Sequence, residues 1–142
     1  MGYGPLQAGI TIAEASRVTE GRLQVATPAV ADQCDYAIWT DGPSGVAVMF
    51  VGGVLARVEV DAAGIATAEG LEVGQPLARA ESLYATTARR LPHKYTEGEY
   101  FVVLPLAPMD TVHRLVIEID QGRVTTFRVG RHPPVEYVEG CS

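Results

Sequence analysis

His93, Lys94, Tyr95 and Tyr100 lie in one short stretch, Pro92-His93-Lys94-Tyr95-Thr96-Glu97-Gly98-Glu99-Tyr100-Phe101. Histidine supplies a hydrogen-bond donor and an acceptor, lysine a cation, and tyrosine a flat ring with a hydroxyl. In an extended segment His93 and Tyr95 share a face with Leu91, and Lys94 points the other way. Such a set suits recognition of another protein or a small ligand, because tyrosine offers large contact area at low entropic cost. Tyr36 and Trp39, in the run Cys34 to Thr40, have the same potential. The predicted contact surface is therefore Tyr36, Trp39, His93, Lys94, Tyr95 and Tyr100, with the aromatics as anchors. The structural alternative is that Tyr95 packs in the core, His93 bonds a backbone group and Lys94 is solvated.

Other chemistry has weaker support. His93, His113 and His132 sit in separate segments, with no His-Glu-x-x-His and no Cys-x-x-Cys, so no metal site is predicted. Ser16, Ser44, Ser82 and Ser142 stand in no Gly-x-Ser-x-Gly context. Cys141 is next to the last residue, where a nucleophile would be poorly held. The carboxylates Asp35, Asp41, Glu59, Asp61, Glu97, Glu99, Glu118 and Asp120 read as solvated edges and turns. Gly52-Gly53 opens onto a strand rather than a helix, so it cradles no phosphate. No catalytic residue and no cofactor is assigned. A small hydrolase using His93 with a carboxylate is the enzymatic alternative.

The chain has 142 residues, 11 basic and 17 acidic, for a formal charge of −6, and no basic stripe; nucleic acid and anionic membrane surfaces are disfavoured as partners. No apolar run reaches the roughly 20 residues that span a bilayer. The opening Met1-Gly2-Tyr3-Gly4-Pro5 lacks the basic and apolar regions of a signal peptide. Cys34 and Cys141 are the two cysteines, and a bridge between them is expected, tying the C-terminus to the middle of the chain. A bridge implies an oxidising compartment, so the chain reads as the mature form of a periplasmic or secreted protein.

Positioning these residues falls to two similar hairpins. Val46 to Val60 turns at Gly52-Gly53, and Leu115 to Val129 turns at Asp120-Gln121-Gly122. A Gly-Gly pair takes the positive φ angles of a type I′ turn. With Gly53 set on Gly122, Val46, Val48 and Phe50 fall on Leu115, Ile117 and Ile119, while Val58 and Val60 fall on Phe127 and Val129. A capping box at Thr11 and Glu14 predicts a helix ending near Gly21. Pro76, with Leu77, Ala80 and Tyr84 on one face, predicts a second. Gly70-Leu71 echoes Gly9-Ile10. Strands are expected at Leu23–Ala26, Cys34–Thr40, Arg89–Tyr95, Tyr100–Leu106 and Val135–Val138, with loops at Thr27–Gln33 and Ala107–Asp110. The fold class is α+β: one domain, 1–142, of two helix-plus-antiparallel-strand repeats, 5–62 and 65–142, forming one sheet with helices on one face.

This pattern resembles the repeat of the β-lactamase inhibitory protein and of the small outer-membrane assembly lipoproteins that share its fold. The residues carrying the resemblance are Gly9-Ile10-Thr11, Glu14, Phe50 to Val54, Gly70-Leu71, Val73-Gly74, Ala80, Tyr84 and Ile119 to Val124. The stretch Pro92 to Tyr95 and the ending Val138-Glu139-Gly140-Cys141 also resemble exported bacterial proteins without an assigned activity. The resemblance implies an exported, non-enzymatic binding or inhibitor-like module working through protein contacts across a sheet. A structural envelope role, as in the lipoproteins, is a further alternative. This chain is shorter than the inhibitors and has fewer cysteines, and no inhibitor contact residue carries over.

Overall fold

Both glycine-turn hairpins form, and the rest of the chain is tied to them. The computed structural model describes residues 2–3, 6–25, 34–104, 112–136, 138 and 141. The elements in order are β1 (Gly2–Tyr3), β2 (Leu6–Gln7), α1 (Ile12–Val18), β3 (Leu23–Gln24), β4 (Cys34–Tyr36), β5 (Ile38–Trp39), β6 (Val46–Val51), β7 (Val54–Val60), α2 (Leu77–Tyr84), β8 (Ala88–Pro92), β9 (Glu99–Val103), β10 (His113–Asp120), β11 (Arg123–Arg131) and a 3-10 turn at Pro134–Glu136. Seven strands make one antiparallel sheet in the order β4-β6-β7-β11-β10-β9-β8, while β1–β2 and β3–β5 form separate pairs. The class is α+β, as expected.

The first hairpin turns through Gly52 (φ 59°) and Gly53 (φ 85°), the second through Gln121 (φ 52°) and Gly122 (φ 74°), which are the paired positive angles of a type I′ turn. Each hairpin carries a bulge. Met49 pairs with Arg57 but Phe50 pairs with Leu55, which skips Ala56; Glu118 pairs with Thr126 but Ile119 pairs with Val124, which skips Thr125. With Gly53 set on Gly122, the two skipped residues coincide.

The segments that enter the helices are also tied down alike. Gly9 N–H donates to Leu55 O (2.8 Å), Leu55 N–H to Ile10 O (2.7 Å) and Ile12 N–H to Gly53 O (3.2 Å). In the second half Gly74 N–H donates to Val124 O (2.8 Å), Val124 N–H to Gln75 O (2.9 Å) and Leu77 N–H to Gly122 O (2.8 Å). Gly74, not Gly70, therefore makes the bonds that Gly9 makes. Gly70 instead donates to Thr67 O within its own loop.

Thr11 caps α1, its hydroxyl accepting the Glu14 N–H at 3.1 Å, and the helix closes with Gly21 N–H donating to Ser16 O. Pro76 caps α2 without a side-chain bond. Both helices lie on one face of the large sheet. Ala15 of α1 packs with Val48, Phe50, Leu55 and Val58. Ala80 and Tyr84 of α2 pack with Phe101, Ile117 and Phe127.

Several boundaries differ from expectation. The run Cys34–Thr40 divides at Ala37, whose N–H donates to Val48 O; β4 then pairs with β6 and β5 with β3. The strand expected over Arg89–Tyr95 stops at Pro92, because His93 N–H donates to Gly98 O and turns the chain. Of the strand expected at Val135–Val138, Val135 and Glu136 belong instead to the 3-10 turn, which lies on the sheet face away from the helices and buries Val135 against Val102 and Val116, while Tyr137 lies outside the described residues. Of the strand expected over Tyr100–Leu106, β9 forms through Val103, ahead of Pro105. The loops expected at 27–33 and 107–110 lie outside the described residues. A disulfide joins Cys34 to Cys141 across 107 positions of sequence, with the Cα atoms 5.3 Å apart.

Candidate functional site

The face away from the helices carries charge where a sheet interior is usually apolar. On β7 and β11 the alternation that sends Val58, Val60 and Phe127 to the helices sends Arg57, Glu59 and Arg128 to the other side. Arg57 is 2 % exposed and Arg128 4 %. Burying such cations unpaired would be prohibitive, so each is bonded on several sides. Arg57 Nε donates to Glu59 Oε2 (2.9 Å), Nη1 to Pro134 O (3.0 Å) and Nη2 to the Tyr36 hydroxyl (3.2 Å). Arg128 Nε donates to Val135 O (2.6 Å) and Nη1 to Glu118 Oε2 (2.5 Å). Consecutive carbonyls of the 3-10 turn are thus held by two arginines on adjacent strands. His132 Nδ1 and Glu136 Oε2 make a further hydrogen bond within the same segment.

Glu118 connects this centre to the predicted contact stretch. Its Oε1 meets His93 Nε2 at 2.8 Å. His93 Nδ1 accepts the N–H groups of Tyr95 (3.1 Å) and Thr96 (3.2 Å), so Nδ1 carries no hydrogen and Nε2–H donates to Glu118. The imidazole stacks on Tyr100 with centroids 4.5 Å apart. The Tyr100 hydroxyl accepts the Lys94 N–H at 3.1 Å, and Gly98 N–H donates to Thr96 Oγ1 at 3.0 Å. At Gly98 a Cβ would stand 1.8 Å from Ile119 O, so only glycine lets the loop lie this close to β10. The loop 93–98 is therefore moulded around a buried histidine.

Above that base Tyr95 is 64 % exposed, with Lys94 Nζ 5.3 Å from its ring centroid. Beside it, between the loop and the Gln121-Gly122 turn, an open cleft of about 590 Å³ is lined by Tyr95, Glu97, Gly98, Glu99 and Asp120 among others. Glu99 is engaged by Arg90 (2.5 Å), whose other arm reaches Glu81 of α2 (2.7 Å); the bond from Arg90 holds the Glu99 carboxyl below its usual value.

The structure brings His93, Lys94, Tyr95 and Tyr100 together. It does not bring Tyr36 and Trp39 to them. Tyr36 is on β4, at the opposite edge of the sheet from β8. Its hydroxyl donates to Glu59 Oε2 at 2.5 Å, and burial, then this bond, raises its pKa above the ordinary tyrosine value. Trp39 packs against the core under α1 and lines a separate cleft with Leu6, Arg22 and Asp41. Tyr95 does not share a strand face with Leu91, since the strand has already ended. Tyr100 is buried and supports the loop rather than facing outward.

Arg57, Arg128, Glu59 and Glu118 escaped the sequence reading, which placed the two acids on solvated edges. The available signal was the alternation: Arg57, Glu59, Glu118 and Arg128 each stand between two apolar neighbours in a strand-like run. Among the described residues no group of three or more His, Cys, Asp or Glu side chains is placed to hold a metal ion, and no helix is long and apolar enough to cross a membrane. Comparison with known proteins returned no significant match, whether to a family model, a curated protein or a solved structure.

Proposed function

We propose that the protein is an exported binding module of two similar halves, inhibitor-like in its mode of action, with the loop 93–98 as its contact element and Tyr95 as the anchor. One observation carries this reading: a largely exposed tyrosine stands on a loop whose base is buried and fully bonded. A loop held in one shape loses less entropy when it binds, so more of its contact energy appears as affinity. A rigid, exposed tyrosine is the residue type that dominates such contacts. The Cys34–Cys141 disulfide supports export to an oxidising compartment. The matched turns, bulges and helix-entry bonds support a duplication with Gly53 equivalent to Gly122.

The hydrolase alternative has its His93–carboxylate pair, in Glu118, yet the geometry favours a positioning role. Nδ1 is taken by two amides, Nε2–H by Glu118, and Glu118 by Arg128. No nitrogen of this imidazole is left to take a proton from a substrate. The envelope alternative has no observation of its own.

The test uses the oxidised protein as bait in periplasmic extract and culture medium, followed by titration of each purified partner against wild type and Tyr95→Ala. The expected result is a partner whose affinity falls at least about tenfold, or 1.4 kcal/mol, with Tyr95→Ala while unfolding is unchanged. A partner that binds both proteins equally would overturn the choice of loop. A β-lactamase assay run alongside addresses the inhibitor form: hydrolysis unaffected by excess protein removes that version.

A further inference from the structure

The helix-bearing face of the large sheet has a seam. α1 serves one core cluster and α2 the other, and among the described residues only Val46 and Val129 pack against both. No residue of either helix lines the space over the seam. It is roofed instead by the connector at Ile65, Ala66, Thr67, Ala68 and Glu69. The connector's small side chains do not fill it, and a cavity of about 170 Å³ remains over Val58, Val60, Leu115, Phe127 and Val129. The physical cause is the layout: two helices each cover their own hairpin, and neither reaches the join.

The cavity has an apolar body, with Thr67 and Glu69 as the polar residues of its lining; Tyr84 lies behind Thr67, outside that lining. Thr67 Oγ1 and the Tyr84 hydroxyl share a hydrogen bond of 2.7 Å, and Thr67 Oγ1 also accepts the Leu71 N–H at 3.0 Å. The Tyr84 hydroxyl is pushed up to about 12, chiefly by burial; Thr67 pulls it down and the Glu69 carboxylate beside it pushes it up. Glu69 is exposed and lines the mouth, so a negative charge stands at the entrance to an apolar hollow. An apolar hollow of this volume has room for a guest the size of benzene.

We propose that the seam cavity is a ligand site for a small cationic amphiphile. The apolar body, of about six or seven non-hydrogen atoms by comparison with benzene-binding cavities, lies on Val58, Val60 and Phe127. An amine head pairs with Glu69. The site is independent of the Tyr95 loop, which lies at the turn end of the second hairpin, beside Gln121 and Gly122.

The probes are n-hexylamine and n-hexanol, titrated to about 10 mM, the weak end of affinities so few atoms can give. Methyl NMR shifts of Val58, Val60, Leu115 and Val129 are the readout. The expected result is a saturable, one-to-one shift confined to the seam, with hexylamine tighter than hexanol by roughly fivefold at low salt, about one surface-type charge pair. Glu69→Gln should abolish that preference and leave hexanol binding in place. Ala66→Phe should fill the space and abolish both, with Ala68→Leu giving the same readout if the first fails to fold. No saturable shift with either probe, or shifts that persist in a folded filled variant, would overturn the site. Equal binding of both probes, unchanged by Glu69→Gln, would overturn the cationic head.

Discussion

Glu59 and Arg128 stand directly opposite each other where β7 pairs with β11. The pairs on either side are Val58 with Val129 and Val60 with Phe127. Superposing Gly53 on Gly122 places Glu59 on Arg128, Val58 on Phe127 and Val60 on Val129, so each flanking pair is turned into the other. The join thus has a local two-fold register centred on this acid and this base. The two are nonetheless bonded elsewhere, Glu59 to Arg57 and Tyr36, Arg128 to Glu118 and the Val135 carbonyl. What is alike in the halves is backbone; the polar bonding differs between them.

Gly130 is opposite Arg57, and a Cβ there would stand 2.2 Å from Ala56 O and 2.7 Å from Arg57 Cα and Cβ. Gly130→Ala must separate β7 from β11 at the join. A loss of about 2–3 kcal/mol in urea unfolding is expected. Gly64→Ala, which meets nothing within 4 Å but has a φ of 94°, should lose only about 1 kcal/mol, from backbone strain alone.

Glu118 and Arg128 form a largely buried pair, so removing either leaves the other uncompensated. Arg128→Ala and Glu118→Ala should each destabilise by about 3 kcal/mol. The double variant should lose less than the sum by more than about 1 kcal/mol, which a double-mutant cycle reads directly. Additive losses would mean that the two charges do not support each other. Glu118→Ala should also raise amide exchange in loop 93–98, since His93 loses the acceptor of its Nε2–H.

Alkaline stability should depend on Tyr84. Its hydroxyl is raised in the fold from 10.0 to about 12, so between those values the unfolded chain gives up a proton that the folded chain keeps. Stability is fully present below pH 10 and falls as pH rises toward 12. In Tyr84→Phe that part of the decline is absent. Denaturant midpoints at pH 9 and 11.5, compared between the two proteins, measure the difference. Identical declines would show that Tyr84 titrates as an ordinary tyrosine.

The disulfide and the two buried arginines hold the same terminal segment from its two ends. Cys34→Ala with Cys141→Ala should cost about 2–5 kcal/mol, by the chain-entropy argument for a long loop. Hydrogen exchange should rise first at 134–136, with the hairpins still protected, because Arg57 and Arg128 then hold the segment alone. If exchange rises uniformly instead, the segment is part of the global folding unit.

The sequence by itself determined the local devices. Gly52-Gly53 and Gly122 specified their turns, Thr11 and Glu14 the start of α1, and alternation the apolar face under the helices. These depend on interactions within a few residues, so they can be read without knowing the fold. Tertiary structure alone decided which distant groups meet. Glu118 looked like one solvated acid among many until β10 placed it between His93 and Arg128. Val135 read as the start of a strand until two buried arginines took its carbonyl and that of Pro134. Tyr36 and Tyr95 read as one surface until the sheet order set them at opposite edges. A buried charge is tolerated only where its partners converge, and that convergence is a property of strand order and register, which local patterns in the chain do not carry.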